Sequence, residues 1–186
     1  GLSTTVSSNV FPACDPPTAA FTSSTTSVCS GQSVQFTDAS TNFAIQWEWL
    51  FPGGNPSSST LQNPLVTYNS SGPRKVTLIA SSFRGSDTLI IPAYITVNPN
   101  PVLAISSSNG TNSFCAATPY SLEAVYAGSV SQWEWTRNAV PVNGSNSPVL
   151  NVTKSGNYKV NVTDANGCYG ISPKFVVVKN PLPSAN

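Results

Sequence analysis

The sequence predicts an all-β chain built from two tandem antiparallel β-sandwiches. The first observation is a repeat: Gln-Trp-Glu-Trp occurs at residues 46–49 and again at 132–135, and these two segments hold all 4 tryptophans of the 186-residue chain. Other landmarks recur at nearly the same offset, which indicates a duplicated module of about 85 residues. The second observation is that apolar and polar residues alternate along short segments, as they do in half-buried strands. The third is that no segment carries the apolar stripe of an amphipathic helix.

Four segments carry the clearest strand pattern, at residues 33–37, 75–79, 158–162 and 174–178. They alternate or are rich in β-branched residues, and Gly, Pro, Asn and Ser bound them. About seven short strands per module, with turn signals roughly every 8 to 12 residues, are typical of a sandwich of two sheets.

The repeat also sets the domain boundaries. We place an N-terminal arm at residues 1–16, the first module at 17–98 and the second at 101–179. The connector at 99–101 is Pro-Asn-Pro, and its two prolines favour a stiff, extended link. A similar Pro-rich exit at residues 180–186 predicts a linker to a further domain, so we interpret the chain as a slice of a longer array.

Composition excludes several classes of function. Charged residues make up 8% of the chain and the net charge is +1, against about 25% charged residues in an ordinary soluble domain. The few Lys and Arg are scattered, so we expect no binding to nucleic acid or to an anionic membrane surface. No apolar run approaches the roughly 18 residues that cross a bilayer, so we expect no membrane insertion.

No catalytic constellation accompanies the repeat. Histidine is absent, with a count of 0, which excludes Ser-His-Asp and Cys-His chemistry. The acids are far apart in sequence, and Glu48 and Glu134 occupy equivalent places in different modules, unlike the two carboxylates of a glycosidase site. Without histidine or a CxxC pair a zinc site is also not expected. We expect a protein that is not an enzyme and holds no cofactor and no metal.

The tryptophans of the repeated segment are interpreted as core residues. Alternation along a strand places Trp47 and Trp49 on one face and Glu48 on the other, and the second copy follows the same rule. A central sandwich strand commonly buries a tryptophan, so Trp133 and Trp135 are assigned to the core as well. The alternative is an exposed indole platform on which sugars stack.

Several motifs follow one another in the first module, at residues 17–21, 28–38, 47–54 and 62–64. In this order they resemble a PKD domain, in the variant found in secreted proteins of Bacteroidetes. Two departures stand out. The family's Trp-Asp-Phe-Gly-Asp-Gly is here Trp-Leu-Phe-Pro-Gly-Gly, which removes the acids of a calcium site in that turn, and Arg74 replaces the usual aromatic residue after Gly72.

The second module carries Phe114-Cys115, Gln132-Trp133 and the segments 155–160 and 163–168. These motifs resemble the Ig-like repeats of the same bacterial surface proteins. The resemblance implies two tandem Ig-like antiparallel β-sandwiches joined by a short Pro-containing linker, located outside the cell or at its surface. Asn166-Gly167 predicts a hairpin turn with two positive-φ positions.

The 4 cysteines allow three pairings. Because the two modules are expected to fold separately, we predict disulfides within each module, Cys14 with Cys29 and Cys115 with Cys168. One modification is also predicted: Asp87-Thr88-Leu89 resembles the short O-glycosylation motif of Bacteroidetes export proteins, with Thr88 as the acceptor.

Two classes of function remain open. The first is a non-catalytic structural or adhesive module, a slice of a larger surface protein or extracellular filament whose partners are like subunits or neighbouring repeats. The alternative is an accessory carbohydrate-binding or spacer module of a secreted hydrolase, with exposed aromatics such as Tyr94, Tyr126 or Tyr169 contacting a surface polysaccharide. An exposed planar row of two or three aromatics would favour this second class.

The arm adds a hypothesis about assembly. Residues 1–12 carry no charge and alternate small polar with β-prone residues. Such a segment is either a disordered tail or a strand that adds to the open sheet edge of a neighbour, where main-chain hydrogen bonds supply the affinity.

Overall fold

The computed structural model describes residues 15–116 and 118–182. Over these ranges it contains 18 strands and no helix, and the chain divides into two compact units between Val97 and Asn98. Each unit has two sheets around its own hydrophobic core. The prediction of an all-β fold with two tandem sandwiches is therefore confirmed.

The first unit contains nine strands in two sheets, ordered β1-β3-β7-β5 and β2-β9-β8-β4-β6. Their bounds are β1 Phe21–Ser23, β2 Ser27–Cys29, β3 Gln32–Asp38, β4 Gln46–Leu50, β5 Gly54–Asn55, β6 Ser58–Ser59, β7 Leu65–Tyr68, β8 Gly72–Ser82 and β9 Gly85–Asn98.

Alternation explains the core of this unit. Along β3, Val34 and Phe36 are wholly buried, while the residues next to them in sequence face outward or are half-buried. The repeated strand β4 contributes Trp49, and Phe51 follows directly after it. The Phe36 and Phe51 rings lie 4.7 Å apart and the Trp49 and Phe51 rings 5.6 Å apart. These aromatic contacts join the two sheets of the sandwich.

The second unit also contains nine strands. One sheet is ordered β10-β12-β15 and the other β11-β18-β16-β13-β14, with β17 also pairing β16. The bounds are β10 Ala104–Ser107, β11 Ser113–Cys115, β12 Ser121–Val125, β13 Val130–Arg137, β14 Val140–Pro141, β15 Val149–Asn151, β16 Gly156–Asp164, β17 Tyr169–Ile171 and β18 Phe175–Asn180.

The pairing of the second unit is mainly antiparallel, but β11 runs parallel to β18. The long strand β16 pairs with β13 on one side, and on its other side with β17 and then with β18. Its inward residues Tyr158, Val160 and Val162 are buried together with Trp135 of β13. The second repeat of the tryptophan strand thus lies in the middle of its own core.

A tyrosine corner closes one end of the second core. The Tyr158 hydroxyl donates to the carbonyl of Lys154, four residues upstream, at 2.8 Å, as in other Ig-like sandwiches. In the first unit Arg74 takes this place: its Nη2 donates to the carbonyls of Ser70 at 2.6 Å and Ser71 at 2.9 Å. The guanidinium therefore makes the backbone contact that the missing aromatic residue would make.

The turn between β16 and β17 differs from the prediction. Gly167 has a φ of 79°, but Asn166 is not among the positive-φ residues, so only one of the two predicted positions is left-handed. The turn is held by Asp164, whose Oδ1 accepts the backbone N–H of Asn166 and of Cys168, each at 2.8 Å. Two bonds to one buried carboxylate make a second positive-φ residue unnecessary.

The cysteines also require a correction. Cys29 and Cys168 are disulfide-bonded, whereas Cys115 is a free, exposed thiol, so the predicted Cys115–Cys168 bond is wrong. The reason lies in strand geometry: β11 buries Phe114, so the next side chain, Cys115, points outward, while Cys168 is wholly buried. Cys14, the predicted partner of Cys29, lies outside the described residues.

Candidate interaction surfaces

The repeated strand separates an inward tryptophan from an outward glutamate in both units. Trp49 and Trp135 are wholly buried, and Trp47 and Trp133 are half-buried and pack against the two cores. Trp49 and Trp135 therefore offer no face on which a sugar could stack. Their burial also shows which indole of each pair lies deepest.

The outer sheet face of each unit carries the glutamate of its repeat. In the first unit Glu48 lies opposite Ile79, and Ile79 lies opposite Thr88 on β9. Thr88 is exposed, so an enzyme could reach its hydroxyl, and O-glycosylation there stays a prediction. Beside these residues lie Gln46, Ser58 and Ser81, which line a depression of about 790 Å³ together with Glu48 and Ile79.

The equivalent face of the second unit is polar and carries an aromatic ring. Glu134 lies opposite Asn161, and Gln132 lies opposite Thr163. Thr163 in turn lies opposite Tyr169 on β17. Tyr169 is 55% exposed, and these side chains line a shallow depression of about 220 Å³. The face thus combines one ring with amide, hydroxyl and carboxylate groups.

The other two candidate tyrosines contribute to the cores. Tyr94 packs edge-on against Phe21 with ring centroids 5.0 Å apart, and its hydroxyl accepts a hydrogen bond from Ser23 Oγ at 3.1 Å. Tyr126 is half-buried against the second core. Of the three tyrosines proposed from the sequence, Tyr169 is the most exposed and is the one available for a ligand.

A second surface lies at one end of the first unit. We call this surface the phenylalanine tip and define it by Phe43, Ile45 and Phe83. Phe43 is 89% exposed and Phe83 is 97% exposed. Phe43 precedes β4 and Phe83 lies in the turn between β8 and β9. The two loops leave adjacent strands at the same end, because Ile45 N–H donates to the Ser81 carbonyl at 2.9 Å. Such exposed rings are typical of a contact surface.

The N-terminal segment passes through this tip. Asn42 Nδ2 donates to the carbonyl of Pro16 at 3.2 Å, and a Cβ placed on Gly85 would lie 3.3 Å from Pro16 Cβ. Pro16 therefore lies between the two loops of the phenylalanine tip. The chain that precedes Asp15, including the arm at residues 1–12, lies outside the described residues.

The loop that carries Phe43 has an unusual backbone and a polar anchor. Asn42 and Phe43 both have a φ of 58°, a region that bulky residues rarely adopt. At the start of the loop the carboxylate of Asp38 accepts the backbone N–H of Ser40 at 3.0 Å and Gln62 Nε2 at 3.1 Å. Burial by itself raises the pKa of Asp38, but these hydrogen bonds outweigh it and hold that pKa below its usual value.

Sequence reasoning missed Phe43 and Phe83. Both stand in turn segments: Phe43 follows Asn42, and Phe83 lies two residues before Gly85. A large apolar residue in a turn has no strand partner to bury it, and this was the available signal.

Metal chemistry finds no support in the described residues. No three His, Cys, Asp or Glu side chains of residues 15–116 and 118–182 come together as ligands. In the same part of the chain there is no helix with the length and hydrophobicity of a membrane span.

Comparison with known proteins gives distant structural likeness. No protein-family model matches the sequence, and a search of curated proteins gives no match. The titin I-band fragment I67-I69 has a TM-score of 0.45 at 17% identity, over 90% of this chain and 67% of that one. Murine CEACAM1b gives 0.40 at 11% identity, over 88% and 100% of the two chains. The N-terminal four Ig domains of Dscam1 isoform 1.9 give 0.37 at 12% identity over 83% of this chain, which spans 43% of that fragment.

Proposed function

We propose that this chain is a non-catalytic structural and adhesive module, part of a larger extracellular or cell-surface protein or of an extracellular filament, and that it associates with like subunits or neighbouring repeats. The observation that carries the proposal is the phenylalanine tip. Two rings that are 89% and 97% exposed stand on adjacent loops, and burying them against a partner would remove most of their apolar area from water.

The backbone of the loop supports this role for the tip. A bulky residue at a φ of 58° lowers the free energy of unfolding. Packing within the unit does not offset this loss, because the Phe43 ring is exposed. Residues held in such a region cluster at functional sites. A partner contact that buries Phe43 would offset the strain of this loop.

The arm supplies a second contact in the same proposal. The described residue Pro16, which follows the arm, lies at the phenylalanine tip, and the Ala19 N–H donates to Asp87 Oδ2 on β9 at 2.9 Å. On one edge, β9 has the three-residue β2 as its neighbour. Thr96 N–H donates to the Thr26 carbonyl there, so β2 covers only part of the 14-residue β9. An arm from another copy can add to the part of this edge that β2 leaves uncovered among the described residues.

The covalent chemistry and the sequence resemblance support the extracellular location in this proposal. Cys29 and Cys168 are disulfide-bonded, and disulfide bonds persist in oxidising compartments such as the extracellular space. The motifs of the first module resemble PKD domains of secreted Bacteroidetes proteins, which supports export and the place of this chain within a longer array.

Self-association of the purified chain tests the proposal. Light scattering over increasing concentration is expected to show oligomers that weaken in the double variant Phe43→Ser, Phe83→Ser and in a chain lacking residues 1–12. Leu65→Ser is the control, because Leu65 is 56% exposed but lies on β7, in the other sheet of the unit. Strict monomers at high concentration, or an equal loss in the control, would overturn the proposal.

A second candidate function is an accessory carbohydrate-binding module of a secreted hydrolase. The observation that favours it is Tyr169, a 55% exposed ring surrounded by hydrogen-bonding side chains. Binding to an insoluble polysaccharide by a strictly monomeric protein would support this candidate over the first.

A further inference from the structure

We infer that the outer sheet face of the second unit binds a neutral saccharide. We call this surface the Tyr169 face and define it by Gln132, Glu134, Asn161, Thr163 and Tyr169. The inference rests on the adhesive part of the proposed function, for which it names a ligand class and a site.

Three neighbouring strands bring these side chains together. In the register of the sheet, Gln132 of β13, Thr163 of β16 and Tyr169 of β17 form one cross-strand row. Glu134 and Asn161 form the next row. Residues in the same row of a sheet have side chains on the same face and close together. The two rows line a single depression of about 220 Å³, a shape that suits a ring-sized ligand lying on the sheet.

The strand that carries Tyr169 is fixed from behind. Gly170, the next residue, faces the core side, where an added Cβ would lie 2.4 Å from the carbonyl oxygen of Pro101. This close backbone approach holds β17 against the unit, and alternation then directs Tyr169 outward. A firmly held ring with one open face can pack against the C–H groups of a sugar, and its hydroxyl can exchange hydrogen bonds with the sugar hydroxyls.

Asn161 provides the polar counterpart. Its Nδ2 donates to Glu134 Oε2 at 3.0 Å, which fixes the orientation of the amide. Its Oδ1 is buried and has no hydrogen-bond partner among the described residues. Glu134 is exposed, and the Asn161 amide holds its carboxylate in the depression. The pair Asn161–Glu134 therefore presents a fixed carboxylate whose accessible oxygens can accept hydrogen bonds from ligand hydroxyls.

The charges on this face favour a neutral ligand. Glu134 on β13 is negatively charged. In the next cross-strand row, Lys159 on β16 lies opposite Thr136 on β13 and is positively charged. One charge of each sign leaves the face without the cluster of cations that an acidic sugar or a phosphate would require. The remaining groups are an aromatic ring, two amides and a hydroxyl, the usual composition of a site for an uncharged polar ligand.

The first unit offers an internal contrast. Glu48 lies opposite Ile79, so an isoleucine stands where the second unit has Asn161. In the row that corresponds to that of Tyr169, Gln46 lies opposite Ser81 and then Ser86. A serine therefore stands where the second unit has the tyrosine, and the combination of Tyr169 with Asn161 belongs to the second unit.

Pull-down on insoluble cellulose and chitin, together with an array of neutral oligosaccharides, tests the site. We expect the intact chain to bind at least one of these probes. Tyr169→Ala and Asn161→Ala are each expected to weaken that binding about tenfold, and Tyr169→Phe to retain most of it because the ring remains. Val140→Ala is the control, since Val140 is 64% exposed but lies on β14, outside the site.

The readouts separate this inference from the proposed function. Circular dichroism confirms that each variant is folded, and light scattering measures self-association in the same samples, which Tyr169→Ala should leave unchanged. Failure of the intact chain to bind any neutral glycan, or undiminished binding by Tyr169→Ala, overturns the inference whatever the state of association.

Discussion

Trp49 Nε1 donates a hydrogen bond to the backbone carbonyl of Leu61 at 3.0 Å. In the second unit Trp135 Nε1 donates to the carbonyl of Ser147 at 2.9 Å, and both bonds span 12 residues. The duplicated tryptophan thus fills each core and also ties down the loop that follows its strand. A buried indole needs such a partner for its N–H, and the repeat conserves both the ring and the bond.

This relationship predicts which tryptophan matters most for stability. Trp49→Ala and Trp135→Ala should each lower the free energy of unfolding by about 3 to 5 kcal/mol, through lost burial and the cavity left behind. Trp47→Ala and Trp133→Ala should cost less, because these indoles are half-buried. Urea denaturation followed by circular dichroism measures the four values. Equal losses for the two members of a pair would contradict the assignment.

A second prediction concerns the corner contacts. Tyr158→Phe keeps the ring but removes the bond to the Lys154 carbonyl, so it should lower the free energy of unfolding by about 1 kcal/mol. Arg74→Met should cost less, because the carbonyls that Arg74 contacts are exposed and water can replace the guanidinium. Denaturation curves of the two variants give the comparison. A larger decrease in the free energy of unfolding for Arg74→Met would show that the guanidinium stabilises the fold through more than these two backbone hydrogen bonds.

The sequence predicted the cores well, for a definite reason. Within a strand the period of two assigns each side chain to a face, so alternation placed Trp49 and Trp135 inward and Glu48 and Glu134 outward. The side chains on the inward face of each strand are then buried between the two sheets of the sandwich.

It predicted the surfaces less well, because the exposure of an individual side chain depends on tertiary packing. Tyr94, Tyr126 and Tyr169 are equivalent candidates in the sequence, and only the packing of Tyr94 on Phe21 and of Tyr126 on the second core distinguishes them. The phenylalanine tip is set by loop conformation, to which periodicity does not apply.

Acid stability should depend on Asp38. Its pKa in the folded protein lies below its usual value, whereas in the unfolded chain it returns to about 4. The ionised carboxylate therefore stabilises the fold above about pH 4, and this contribution is lost as the pH falls toward the folded pKa. In Asp38→Asn the stabilisation is absent throughout. Urea midpoints measured between about pH 7 and pH 3 should show a gap between wild type and variant that narrows with acid; a constant gap would contradict the role of the charge.

The last prediction concerns the thiols. Because Cys115 is free and exposed while Cys29 and Cys168 are disulfide-bonded, a maleimide added to the native, unreduced protein should label Cys115. Cys29 and Cys168 should react only after denaturation and reduction, and Cys115→Ser should abolish native labelling of residues 15–186. Peptide mapping by mass spectrometry identifies the labelled sites. Recovery of Cys115 in any disulfide-linked peptide would contradict this assignment, and a link to Cys168 would restore the pairing that the sequence suggested. Because strand alternation turns Cys115 away from the core that encloses Cys168, we expect the free thiol.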